Sequence, residues 1–329
     1  MSPQTAALLR FLVEALDRPV VAAPGEAEPL RQALAAGRAT RETAVDTRAS
    51  ELAAGTGLVW LGAAEATPEP SAGRLYAAAR ADAFAGWPEA CVVWLPEGRR
   101  GAAGMALAMA EDPPPAVLET LAAIDAASTR LAPTDPVPAP VGRLLYLLAR
   151  ARSARLVLDV GSSTGASLVW LAAAMRHVGG RVVGIERDSA RFSLARRHLR
   201  RAGLDALAEP RLGEAQRLAA GLAGPFDLVF LDHDLMDRVD DLEALLPSLG
   251  PATLLVAHGG QGEAETAARF HALLQLHPGL RTMLRLPLGR DLALALIDGR
   301  HGLDSPERSP FRAADPARSR RPQGGRSRT

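Results

Sequence analysis

The sequence predicts an α/β protein: a doubly wound, mostly parallel sheet preceded by a smaller α/β unit. Three observations carry this. Between residues 141 and 300, short apolar runs alternate with helical patterns, the signature of repeated βα units. Several of those runs end in an acid or a histidine, and the first is followed by a loop of glycine and small hydroxyl residues. Two proline-rich stretches, "EDPPPA" at 111–116 and "APTDPVPAP" at 132–140, divide the chain.

In chain order, "TAALLRFLVEALDRP" spaces Leu8, Leu9, Leu12, Val13 and Leu16 as an amphipathic helix. Arg10, Glu14 and Asp17 interrupt it, so it is not a signal-peptide core. "RPVVAAP", "TGLVWLG" and "EACVVWLPEG" read as short buried strands; "EPLRQALAAG" and "GRLYAAARADAFAG" read as helices between them. Residues 1–110 therefore form a small α/β domain of unknown role: a dimerisation domain, a lid, or a worn-down relative of the second unit. Residues 111–140 are a linker with the lead-in helix "AVLETLAAIDAAS". In 141–300, helix "VGRLLYLLARA" precedes strand "RLVLDV", helix "ASLVWLAAAMRH", strand "RVVGIE" and helix "SARFSLARRHLRRAG". "FDLVFLD", "VDDLEALLPSL", "ATLLVAH", "EAETAARFHALLQLH" and "DLALALI" continue the alternation. Residues 301–329, rich in Arg, Pro, Ser and Gly, cannot bury a core and read as a disordered tail.

Composition excludes several classes. The chain of 329 residues is 48% apolar and 23% charged with net charge +1, so no global field points to nucleic acid or a membrane. Aromatics are 4%, too few for base-stacking platforms, and no apolar run is long enough to span a bilayer. The lone Cys91 excludes a disulfide framework or cysteine zinc cluster and fits a reducing, cytoplasmic location. The chain contains no lysine, which removes lysine bases, Schiff bases and the P-loop.

In open α/β sheets, ligands bind beyond the carboxyl ends of the strands. The decisive loop is "LVLDVGSSTGASLVWL", residues 156–171. A dinucleotide fingerprint needs G-x-G-x-x-G, but Ser163 stands where the middle glycine belongs. Gly161-Ser162-Ser163-Thr164-Gly165 fits G-x-S-x-G, with Asp232 and His258 following in hydrolase order, so a serine nucleophile at Ser163 is one reading. That reading leaves Asp159 and Glu186 without a role. An adenosine ligand uses both: Glu186, closing the second strand, is placed to accept ribose hydroxyls, and the small residues at 161–167 let a ligand lie against the backbone.

These residues resemble the class I S-adenosylmethionine-dependent O-methyltransferases, in the branch of the catechol and caffeoyl-CoA enzymes. "VLDVGSSTGAS" resembles their first motif, "GRVVGIERD" the second, "LGEAQRL" the segment beside the adenine, "GPFDLVFLDHDLMDR" the fourth-strand motif and "LPLGRDLALAL" the closing hairpin. The resemblance covers residues 137–298 and implies a Rossmann-like methyltransferase sheet. It implies that Asp159, Gly161, Ser163, Gly165, Ser167, Glu186, Ala215, Gln216, Asp232 and His233 hold S-adenosyl-L-methionine. The family completes a divalent-metal site with an Asp-Asn pair after its fifth strand, where this chain has Ala257 and His258. It also has a lysine base after the fourth-strand acid, where this chain has Asp234-Leu235-Met236. The family's metal is thus left without its ligand set, no metal residue is carried over, and His258 or Asp232 is the candidate base. The expected acceptor is a small-molecule hydroxyl, and the resemblance implies a homodimer. The alternatives are a catalytically silent cofactor-binding or scaffold relative and the serine hydrolase.

Overall fold

The computed structural model describes residues 2–16, 20–22, 26–35, 45–46, 58–62, 74–79, 83–84, 87, 92–96, 104–109, 111, 113–128, 136–232, 241–242, 244–245, 248–259, 274, 279–289 and 292–297. The expected tail at 301–329 and helix "EAETAARFHALLQLH", apart from Leu274, lie outside the described residues, as do residues 239, 240, 243, 246 and 247 of "VDDLEALLPSL".

The larger sheet takes its central strands from the runs read as strands: β7 (Leu156–Val160), β8 (Arg181–Glu186), β10 (Phe226–Leu231) and β11 (Leu249–His258). Edge strand β9 (Ala208–Leu212) joins them, followed by β12 (Leu280–Leu286) and β13 (Leu292–Ile297), which form the closing hairpin. Their order is β12-β13-β11-β10-β7-β8-β9. From β9 to β11 neighbours are parallel, while β13 runs antiparallel to both β11 and β12. The chain leaves β7 first toward β8 and later returns to its other side with β10, so the strand order reverses there and a ligand crevice opens at the carboxyl end of β7.

Helix α5 (Ala166–Val178) follows β7, and every residue from Ala166 to Met175 is buried. An apolar helix of this kind needs cover on more than one side. Helices α3 (Pro115–Ser128) and α4 (Ala139–Ala151) supply it. Gly142 of α4 meets the Trp170 ring so closely that a Cβ there would lie 2.2 Å from it. Helix α6 (Ser189–Arg201) is capped by the Asp188 carboxylate, which accepts the Arg191 N–H at 2.8 Å.

Residues 1–109 form a second sheet: β1 (Val20–Ala22), β2 (Val45–Asp46), β3 (Leu58–Gly62), β4 (Leu75–Ala78), β5 (Val92–Pro96) and β6 (Gly104–Ala108), with helices α1 (Pro3–Leu16) and α2 (Ala27–Ala35). The strand order is β2-β1-β3-β4-β6-β5. One expectation is corrected here. Within "GRLYAAARADAFAG", read as a helix, Leu75–Ala78 is an interior strand between β3 and β6, and all four of its residues are buried. Its alanines favour helix in isolation, but burial on both faces of a sheet overrides that propensity.

The two units share one apolar core. Leu8, Phe11 and Leu12 of α1 join the cluster that holds Leu144 and Leu148 of α4, Phe230 of β10 and Val256 of β11. The Arg152 guanidinium, just past α4, donates to the carbonyls of Ala15, Asp227 and Ala252, tying α1 to the amino-terminal edge of the larger sheet. At a second joint Arg150, almost fully buried, pairs with Glu111 and donates to the Tyr146 hydroxyl at 2.9 Å. His177 lies 3.2 Å from that hydroxyl and 3.3 Å from Glu111. Burial, then the charges of Arg150 and Arg176, push His177 down to about 4, so the neutral ring links the two groups.

Candidate cofactor and acceptor site

Alternation along each strand decides what faces the crevice. Asp159 near the end of β7, Glu186 at the end of β8, Asp232 just past β10 and His258 at the end of β11 occupy the positions whose neighbours two residues back face α4 and α5. Four polar side chains from four adjacent strands therefore lie on one face of the sheet, spread along its carboxyl edge.

The loop after β7 is bent to serve them. Gly161, Ser163 and Gly165 adopt φ of 86°, 48° and 97°. At Gly165 a side chain is excluded twice over: the backbone is left-handed, and a Cβ would lie 3.0 Å from Cα of Ala195 on α6. The bend turns the Ser163 N–H onto Glu186 Oε2 at 2.7 Å, while the Asp188 N–H donates to Oε1 at 2.8 Å. Each Glu186 oxygen keeps an acceptor site beyond these bonds. The loop is further pinned by the Gly161 and Ser162 N–H groups on the Ile185 carbonyl, and by the Asp232 N–H on the Val160 carbonyl at 2.9 Å.

Asp159 is fully buried. Its Oδ2 accepts the Ser167 hydroxyl at 2.8 Å, and its Oδ1 has no hydrogen-bond partner among the described residues. Burial pushes its carboxyl up to about 8; the Ser167 bond opposes this, and the charges of Asp232 and Glu186 add to it. At neutral pH Asp159 holds its proton.

His258 is fully buried, with Nδ1 3.1 Å from Asp232 Oδ1. Its other face packs on the β12–β13 turn, where a Cβ on Gly289 would lie 2.5 Å from Nε2. The Asp232 side chain stays 12% exposed, so the carboxylate and not the imidazole reaches the crevice. Magnesium asks for about six oxygen ligands. Here the fourth-strand carboxylate is engaged by an imidazole and the adjacent Ala257 offers no donor. Among the described residues no three metal-ligating side chains converge, and this donor set does not fit the metal.

Ala215 is buried at the start of α7 (Ala215–Leu218) after β9, and Gln216 beside it is exposed. His233 and Asp234 lie outside the described residues. Two contacts were not read from the sequence. His198 is half-buried on α6, its Nδ1 2.8 Å from the Thr164 carbonyl, which braces the loop from outside. Its signal was its spacing from the buried Ala195, Leu199 and Ala202. The Asp188 backbone was the other, its N–H donating to Glu186. A pocket of about 210 Å³ lies between α3, α4 and α5 and reaches Ala166 at the start of α5; Leu118, Leu121 and Asp125 of α3, Val137, Arg143 and Trp170 line it.

Residues 158–259 match a family model described as a methyltransferase domain. A catechol O-methyltransferase of Mycobacterium tuberculosis is 36% identical over 201 residues, which cover 56% of this chain and 89% of that protein. The chain belongs to the S-adenosylmethionine-dependent O-methyltransferase family. A catechol O-methyltransferase of Niastella koreensis is 32% identical over 170 residues, covering 47% of this chain and 76% of that one. The S-adenosylhomocysteine-bound methyltransferase PaMTH1 of Podospora anserina superposes with a TM-score of 0.50 at 18% identity, over 56% of this chain and 88% of that one, a likeness of fold. The serine-hydrolase reading is not favoured: among the described residues, the hydrogen bond of Ser163 runs from its N–H to Glu186 and none joins it to a histidine. The scaffold reading is not favoured either, because the relatives carry enzyme names. No described helix is long and apolar enough to cross a membrane.

Proposed function

We propose that this chain methylates a hydroxyl oxygen of a small aromatic molecule, using S-adenosyl-L-methionine and no divalent metal. The observation that carries the cofactor reading is the Glu186 carboxylate, stapled to the Ser163 and Asp188 N–H groups with acceptor capacity left over for a ribose diol. Gly161, Ser163, Gly165 and Ser167 line the methionine end, with the α5 N-terminus favouring its carboxylate. Ala215 and Gln216 flank the adenine. When bound, the cofactor supplies an electrophilic methyl group.

The residues of this chain do the rest by positioning, proton transfer and exclusion of water. Asp232 faces the crevice and accepts the proton of the acceptor hydroxyl. His258, fully buried behind it, is a positioning residue: its Nδ1–H tautomer holds the carboxylate through the 3.1 Å bond. The apolar pocket between α3, α4 and α5 takes the acceptor ring. Segment 136–143 supports this, because it lines that pocket and also brings Val141 onto the Gly289 turn beside His258. The names of the two catechol O-methyltransferase relatives support a phenolic acceptor.

The test is methyl transfer to a panel of phenols and catechols, read by product mass, in EDTA. Turnover should persist in EDTA. Asp232→Asn should lower kcat by about 10²- to 10⁴-fold, as expected for loss of a general base. His258→Gln should lower it less and shift the pH profile. A turnover that depends strictly on added magnesium sinks the metal-free reading; full activity in Asp232→Asn sinks the base assignment.

A further inference from the structure

Residues 1–109 lie outside the span matched by the methyltransferase family model, residues 158–259, but their strand order is informative. In the larger sheet, number the strands by order of appearance, β7 to β13, as first to seventh. Their spatial order is then third, second, first, fourth, fifth, seventh, sixth, with the seventh antiparallel to both neighbours. Among the described residues the smaller sheet repeats this order without a counterpart of the third strand: β2, β1, β3, β4, β6, β5 stand for second, first, fourth, fifth, seventh and sixth. Its directions repeat as well. β2, β1, β3 and β4 are mutually parallel, and β6 runs antiparallel to both β4 and β5. The connections differ in length. Residues 47–57 join β2 to β3, whereas residues 187–225 join β8 to β10 and carry α6, β9 and α7. Each unit also opens on an apolar helix, α1 ahead of β1 and α4 ahead of β7, with "LLRFL" at 8–12 in one and "LLYLL" at 144–148 in the other.

The contacts between the units are reciprocal. Lead-in helix α1 of the small unit packs against β12, the edge strand of the large sheet. Lead-in helix α4 of the large unit packs against β5, the matching edge strand of the small sheet. An exposed edge strand invites pairing with another chain unless something covers it, and here each unit covers the other's. A contact in which helix meets edge and edge meets helix is the isologous pattern of a two-fold dimer, here formed within one chain.

We propose that residues 1–109 are a second methyltransferase-type unit, reduced by loss of its third strand and cofactor cradle, that serves as a built-in partner for the catalytic unit. The loss of the cradle is written in the chain. After β1 the sequence runs Ala23-Pro24-Gly25-Glu26 into α2, without the acid–glycine–hydroxyl pattern of residues 159–165. Asp46 pairs with Val21, one residue before the end of β1, whereas Glu186 lies one residue beyond the pair that ends β7. The face that a second copy would use through α4 and β12 is filled from within, so the functional unit is a monomer with one cofactor site. This replaces the homodimer implied by resemblance.

The test uses the full wild-type chain. Sedimentation equilibrium over a wide concentration range should give the mass of one chain. Hydrogen exchange should show α1, β5, β12 and α4 losing protection in one cooperative step. Titration with S-adenosylhomocysteine should give one site per chain. A stable dimer, independent opening of α1 and β5, or two sites per chain overturns the proposal. Absence of any binding would instead count against the proposed function, and mass and exchange would still decide this inference.

Discussion

Asp159 offers a perturbation whose size follows from its surroundings. In the folded chain its carboxyl is pushed by burial to about 8, against an ordinary value of 3.8. Between those values the folded state keeps a proton that the unfolded state has released, so stability falls as pH rises and levels off above the folded value. The slope is about 1.4 kcal/mol per pH unit, which makes a swing of about 4 kcal/mol between pH 5 and pH 8 as an upper bound. Asp159→Asn keeps the shape and the acceptor for Ser167 but cannot ionise. At pH 5 it should be less stable than wild type by about 1–3 kcal/mol, the cost of an amide N–H buried without a partner. At pH 8 the order should narrow or reverse. Urea unfolding of both proteins at several pH values, followed by circular dichroism, measures the difference directly. Parallel profiles for the two proteins would refute the reasoning, because they would mean that Asp159 is ionised in the folded chain throughout.

Three further outcomes are expected. Gly165→Ala places a Cβ at φ 97° and 3.0 Å from the α6 backbone, and should cost about 1–3 kcal/mol in thermal unfolding while weakening S-adenosylhomocysteine binding. His198→Ala removes the 2.8 Å bond to the Thr164 carbonyl; stability should fall by about 1 kcal/mol, and calorimetry should show weaker cofactor binding. Arg150→Met removes a buried guanidinium that holds Glu111 and the Tyr146 hydroxyl, and denaturant unfolding should show a loss of about 2–3 kcal/mol with cofactor affinity unchanged.

The catalytic half was legible because its signals are local. A strand ending in Asp159, a loop of small residues and a second strand ending in Glu186 are written within residues 156–186, and the structure joins Glu186 to Ser163 across that interval. The Asp232–His258 pair was legible as two strand ends but not as a bonded pair, since strand order, not sequence, sets β10 beside β11. The burial that separates their roles is likewise a property of the β12–β13 turn. The small unit was read less well. Tyr76-Ala77-Ala78 carries helical propensity and becomes a strand only because β3 and β6 flank it. The two-residue strand β2 is too short to leave a periodic signal, and the repeated strand order is invisible in a sequence whose matching loops have diverged. His198 stands among arginines in sequence, which masks its role, although its spacing from Ala195 and Leu199 sets it toward the loop.

The most direct test of the account is calorimetric titration of the purified chain with S-adenosylhomocysteine in EDTA, beside Glu186→Ala. The account predicts metal-independent binding to wild type and a loss in the variant of about 1.5–3 kcal/mol, the worth of a hydrogen bond to a charged group, or about 10- to 150-fold in affinity. Equal binding by the two proteins, or none by either, would contradict it.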